Sequence, residues 1–186
     1  TKSTSSSLSS SDTCRADVPI AFAASRATRH ADCMNWGQSV DAAGIKSLID
    51  EAMKIEGFER LGRSRWLCSS SEVLWVIEAD RASSRDPWAV MVGAVVKGWS
   101  PDLASPHASD GHLISEYVFL TSAVPEAAEG TRFDDHTSYF TMAFDHNSGM
   151  ELDERRAAMA FMAQDIARFC RHHATLQDLV LLVRSG

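Results

Sequence analysis

The chain has 186 residues, enough for one ordinary domain with an appended arm, and its 45% hydrophobic and 23% charged residues match globular averages. A formal charge of −7 argues against a protein that grips a phosphate backbone, because that task needs a Lys/Arg-rich face. The longest apolar run, Trp88–Val96, falls far short of the about 20 residues a transmembrane helix requires, so neither nucleic acid nor a membrane is an expected partner.

Taken in chain order, the first stretch is crowded with serines (Ser3, Ser5, Ser6, Ser7, Ser9, Ser10, Ser11) and has little to bury. Residues 1–40 therefore read as a mobile arm, and 41–186 as a single domain. Within the arm, Val18–Ala24 fits either a short helix opened by Pro19 or an edge strand, and Trp36 is expected to anchor it. Order is expected from Asp41, an N-cap. Ile45, Leu48, Ile49, Ala52 and Met53 follow the i, i+3, i+4, i+7 rule, and Gly57 supplies a stop, predicting an early helix over about 41–56.

Strands are expected next. Arg65–Cys68 and Val73–Glu78 flank a serine turn, with Val73, Trp75 and Ile77 on one face. Trp88–Val96 is apolar on both faces, as in a strand covered on both sides. Leu113–Leu120 follows the long loop Gly98–Gly111, and His136–Phe144 alternates, with Phe140, Met142 and Phe144 on one side. Ser148-Gly149-Met150-Glu151 has the form of a capping box, predicting a long late helix over about 149–173. Its stripe runs through Met159, Met162, Ile166 and Cys170, with Asp165 facing water. Leu176, Leu179, Val180 and Val183 favour a last short helix. The fold class is α+β: a mostly antiparallel sheet of about five strands packed with an early and a long late helix.

One stretch has a resemblance. The helix, then Gly57-Phe58, a basic turn with Gly62, Trp66, Val76-Ile77, Ser83-Ser84 and Val92-Gly93 resemble a bacterial family known as domain of unknown function 4304. The likeness covers Ile45–Val96 and departs from the family pattern at Glu78-Ala79-Asp80-Arg81. It implies a fold and a bacterial setting, and no catalytic residue.

Polar clusters are few. Asp134-Asp135-His136 and Asp145-His146 bracket the last expected strand and would lie about 30 Å apart at about 3.3 Å per residue, too far for one metal site. They read as turn residues. In the loop, His107, Asp110 and His112 are the candidate metal ligands, being N/O donors close in sequence. Glu78 reads as a surface ion-pair partner of Arg81 or Arg85. No nucleophile motif and no phosphate loop is present. Cys14, Cys33, Cys68 and Cys170 are widely spaced, which fits free thiols in a reducing compartment rather than a disulfide framework. Trp99, beside the long loop, and Phe161, off the late helix's stripe, are the candidate binding-surface residues.

No cofactor is expected. The leading expectation is a cytoplasmic, non-enzymatic protein-binding module of bacterial origin, such as an immunity-type or adaptor protein with another protein as partner. One alternative is a small hydrolase or metal-assisted enzyme using the 98–112 loop. The other is a secreted effector whose serine-rich start serves export.

Overall fold

The computed structural model describes residues 40–99, 105–120 and 135–185, so the serine-rich arm, Trp36, Cys14, Cys33 and Asp134 lie outside the described residues. The first helix, α1 (Ala42–Ile55), starts where Asp41 accepts a hydrogen bond from the Gly44 N–H at 2.7 Å. It ends because Gly57 adopts φ +81°, which lets Gly57 N–H reach the Lys54 carbonyl and Phe58 N–H reach that of Met53. This is a Schellman stop, and it satisfies carbonyls that the helix end would otherwise leave bare. The predicted stripe is the buried one: Ile45, Leu48, Ile49, Ala52 and Met53.

Five strands follow as an antiparallel sheet whose spatial order equals chain order: β1 (Glu59–Arg60), β2 (Arg65–Ser69), β3 (Val73–Asp80), β4 (Ala89–Val96) and β5 (Leu113–Glu116). The pairing of β3 with β4 runs from Val73↔Val96 to Asp80↔Ala89. One face, carrying Trp66, Trp75, Ile77, Val92 and Ala94, joins the main core with the helices. The opposite face buries Leu74, Val76 and Val95 under Ala108, which belongs to a 3-10 turn at Ala108–Asp110. As expected, β4 is covered on both faces, and so is its neighbour β3.

The second cover is thin and close. A Cβ added at Gly93 would stand 2.3 Å from the Ala108 carbonyl oxygen, so only glycine admits the segment here. Glu78 holds the same segment: its carboxylate accepts from Ala108 N–H at 3.2 Å and lies 3.1 Å from His107 Nδ1. At the sheet edge, Arg65 donates to the carbonyl of Pro106 at 3.0 Å.

Three helices complete the fold: α2 (His136–Phe144), α3 (Leu152–His172) and α4 (Leu176–Ser185). The first corrects the strand expected at His136–Phe144. Asp135 caps it by accepting from Ser138 N–H at 2.8 Å, and His136, Tyr139, Phe140, Ala143 and Phe144 are buried. That set is i, i+3, i+4, i+7, i+8, a helical stripe that also satisfies two-residue alternation in part. The two Asp/His clusters are thus separated by a nine-residue helix, about 13 Å at 1.5 Å per residue, not by a 30 Å strand. The fifth strand is Glu59–Arg60 instead.

Two further boundaries differ from expectation. The strand expected over Leu113–Leu120 stops at Glu116, and Tyr117–Phe119 forms a 3-10 turn. There the chain turns inward, Leu120 N–H bonding the Tyr117 carbonyl at 2.9 Å, and Tyr117 and Val118 are both buried. The long helix starts at Leu152, and its N-cap Glu151 makes no side-chain cap bond. Ser148 serves Arg155 instead. The buried guanidinium of Arg155 donates to the carbonyls of Met142, Ala143, Ser148 and Met150 and to Ser148 Oγ, at 2.7–3.2 Å. It thereby ties the end of α2, the turn after it and the start of α3 together.

Replacing Gly93 by alanine should lower stability by about 2 kcal/mol or more, because the contact it meets is backbone and cannot rotate away; urea unfolding measures this. Arg155→Met should lose about 3 kcal/mol or more in the same assay, since its carbonyl partners would be left without donors. Full stability retained in either variant would contradict the packing described.

Candidate functional site

The last helix begins on a reciprocal cap. Asp178 accepts from Thr175 N–H at 2.9 Å, and Thr175 Oγ1 accepts from Asp178 N–H at 3.2 Å. A hydrogen bond from the Thr175 hydroxyl, reinforced by the backbone, holds the Asp178 carboxyl below its usual pKa. The β2–β3 turn fixes the same junction from the sheet. Glu72 accepts from Leu176 N–H at 2.8 Å, Ser70 Oγ donates to the Ala174 carbonyl at 2.6 Å, and Trp75 Nε1 donates to the His173 carbonyl at 3.2 Å. Leu179 is buried, and the helix lies beside the end of β4.

Between them runs a groove open to solvent. One wall is α4, with Leu176, Val180 and Val183; the other is Val96, Leu113 and Trp99. Trp99 is 59% exposed, Val180 41% and Val183 64%, although each is apolar. The Trp99 ring stands edge-on to His112, 5.2 Å between centroids. His112 is itself held, because its Nδ1 accepts from Val96 N–H at 3.2 Å, which places its own N–H on Nε2. Arg184 places a positive charge on the rim.

The other expected site residues are placed as follows. His107 faces Glu78, and Asp110 turns back to accept from His107 N–H at 2.7 Å. His112 faces the β4 backbone. Among the described residues, no group of three or more His, Cys, Asp or Glu is arranged to hold a metal ion. Phe161 is half-buried and stacks on Phe140 with centroids 6.3 Å apart, so its place off the main stripe serves the packing of α2 on α3.

A second recess, of about 540 Å³, opens between the 3-10 turn after β5 and the last turns of α3. Asp165, expected to face water, is buried in its wall, where Tyr117 donates to Oδ2 at 3.4 Å and Arg168 lies 3.7 Å from Oδ1. Burial, strengthened by the Asp165 charge, pushes the Tyr117 hydroxyl far above its usual pKa, so it stays protonated and serves as a donor.

What these residues define is an α+β protein with a meander sheet, helices over one face, and an apolar groove where the last helix meets the sheet. Comparison of the chain with protein-family models, curated proteins and solved structures finds no match. No helix among the described residues is long and apolar enough to cross a membrane.

Glu78→Ala should destabilise the protein by about 1–3 kcal/mol in urea, because it strips the buried Ala108 N–H of its acceptor. His107→Ala, removing only an exposed ring, should cost less. Equal losses would mean that the carboxylate acts mainly as an ion-pair partner.

Proposed function

We propose that the protein is a non-enzymatic binding module, and that its groove between α4 and Trp99 receives an apolar segment of a basic protein partner. The carrying observation is the concentration of exposed Trp99, Val180 and Val183 along one concavity. Contiguous apolar surface of this kind is what a protein interface buries, and a tryptophan at its edge is a common anchor. A chain of formal charge −7 favours encounter with a positively charged partner. An immunity-type or adaptor role fits both features, and the resemblance over Ile45–Val96 motivates a bacterial setting.

Polar chemistry supports the same choice. Glu78, Arg155 and the Asp165–Tyr117 pair are each engaged in holding backbone or side chains of the fold. Groups so engaged are poorly placed to turn over a substrate, whereas a binding surface asks nothing of them.

The test is affinity capture of the products of genes adjoining this one by the wild-type chain and by Trp99→Ala and Val180→Asp variants whose circular dichroism matches wild type. A partner should be retained by the wild type, and loss of a tryptophan anchor should weaken it by about 30-fold, the equivalent of about 2 kcal/mol. Capture unaffected by both substitutions would move the interface elsewhere, and failure with every neighbour would remove the immunity version.

A further inference from the structure

The second recess, between the 3-10 turn after β5 and the last turns of α3, holds a carboxylate that its neighbours supply poorly with donors. Asp165 is only 8% exposed, yet both of its polar contacts stand off. The Tyr117 hydroxyl is 3.4 Å from Oδ2, where an O–H···O bond normally spans about 2.5–3.0 Å. Arg168 is 3.7 Å from Oδ1, where a charge-assisted bond would close to about 2.7–2.9 Å. Its side chain is 60% exposed, so water already serves its charge. Among the described residues, then, no donor comes within hydrogen-bonding distance of Oδ1. A carboxylate this far out of water is normally paired and fully hydrogen-bonded.

What surrounds the carboxylate narrows the chemistry it can serve. Leu120, Ile166 and Phe169 give the recess apolar walls, and the Tyr117 ring lies beside them. That ring is held in place, edge-on to Phe140 with centroids 5.0 Å apart and tilted on His136 at 5.2 Å. A concave apolar site with one convergent charge is the usual make-up of a small-molecule pocket. Aromatic rings attract a cation as well as an apolar body. His172 and His173 also line the recess, but His173 turns Nδ1 to the Phe169 carbonyl at 2.9 Å. No group of three or more His, Cys, Asp or Glu among the described residues is set to share a metal ion, so the cation that fits is an organic one.

We propose that this recess binds a small organic amine in its ammonium form, with Asp165 accepting from the ammonium and Leu120, Ile166 and Phe169 flanking its apolar body. The ammonium takes the place beside Oδ1 that Arg168 approaches without reaching, and the Arg168 head moves further into water. Tyr117 keeps its own bond to Oδ2, so the carboxylate gains a donor without losing one. The site is separate from the groove between α4 and Trp99 and does not rest on the reading of that groove.

Calorimetric titration of the full chain with phenethylamine tests this, at about pH 8, where an alkyl ammonium keeps its charge. Phenethyl alcohol and phenylacetate serve as matched neutral and anionic probes. The amine should bind with a dissociation constant of about 1 mM or tighter, and both other probes about tenfold more weakly or not at all. Asp165→Asn leaves Tyr117 an acceptor, and with circular dichroism matching wild type it should weaken the amine by about tenfold or more. Arg168→Gln should act in the opposite direction, tightening the amine by about threefold, because it removes a like charge from beside the ammonium. An anion site would show the reverse, with phenylacetate preferred and Arg168→Gln weakening it. That pattern, amine affinity unchanged in Asp165→Asn, or no saturable binding of the amine up to about 10 mM would overturn the proposal.

Discussion

A sheet with helices on one side must still cover its other apolar face, and among the described residues that constraint turns on one backbone contact. Ala108 lies on Gly93 so closely that no side chain fits between them. Because the chain passes there at van der Waals distance, among the described residues it is this turn that packs on Val76 and Val95. The same turn sets what comes after it. His112 N–H reaches the Ala94 carbonyl at 2.7 Å, β5 joins the sheet from that point, and the His112 ring stands beside Trp99 at the groove. Loop, fifth strand and groove wall all depend on the absence of one methyl group.

Much of this was legible in local sequence. The caps at Asp41 and Gly57 and the stripe between them act within one helix, and the alternation of Val73, Trp75 and Ile77 reports a face whichever partner covers it. The segment 136–144 misled because Tyr, Phe and Thr favour strands and its aromatics alternate; the stripe His136, Tyr139, Phe140, Ala143, Phe144 was the competing signal, and packing against α3 decided between them. At Ser148 the expected box lost to Arg155, whose guanidinium supplies donors to carbonyls of the preceding turn. The true box, Thr175 with Asp178, was present in the sequence as the same type of spacing.

The site was harder to read, for a physical reason. Trp99 and the spacing of Leu176, Val180 and Val183 were each visible, but a groove exists only when two segments far apart in sequence are set side by side. Glu78 and Asp165 show the same dependence. Each has a charged neighbour nearby in sequence, and each takes a partner from a distant element: Glu78 the Ala108 N–H, and Asp165 the Tyr117 hydroxyl beside its near neighbour Arg168. Electrostatic pairing read from local sequence favours the near partner, whereas burial rewards whichever group would otherwise go unsatisfied.

Strand order that equals chain order has a kinetic meaning. Each strand pairs with the one made just before it, so the sheet can grow hairpin by hairpin, with only short or moderate loops to close at each step. The distant partnership is that of α1 with α3, which brackets the whole sheet in sequence. Connectivity thus makes strand pairing the local step and the docking of α1 on α3 the long-range one, the kind whose loop-closure cost slows folding. On a ribosome, the meander would be complete before the helix that seals its core had been made.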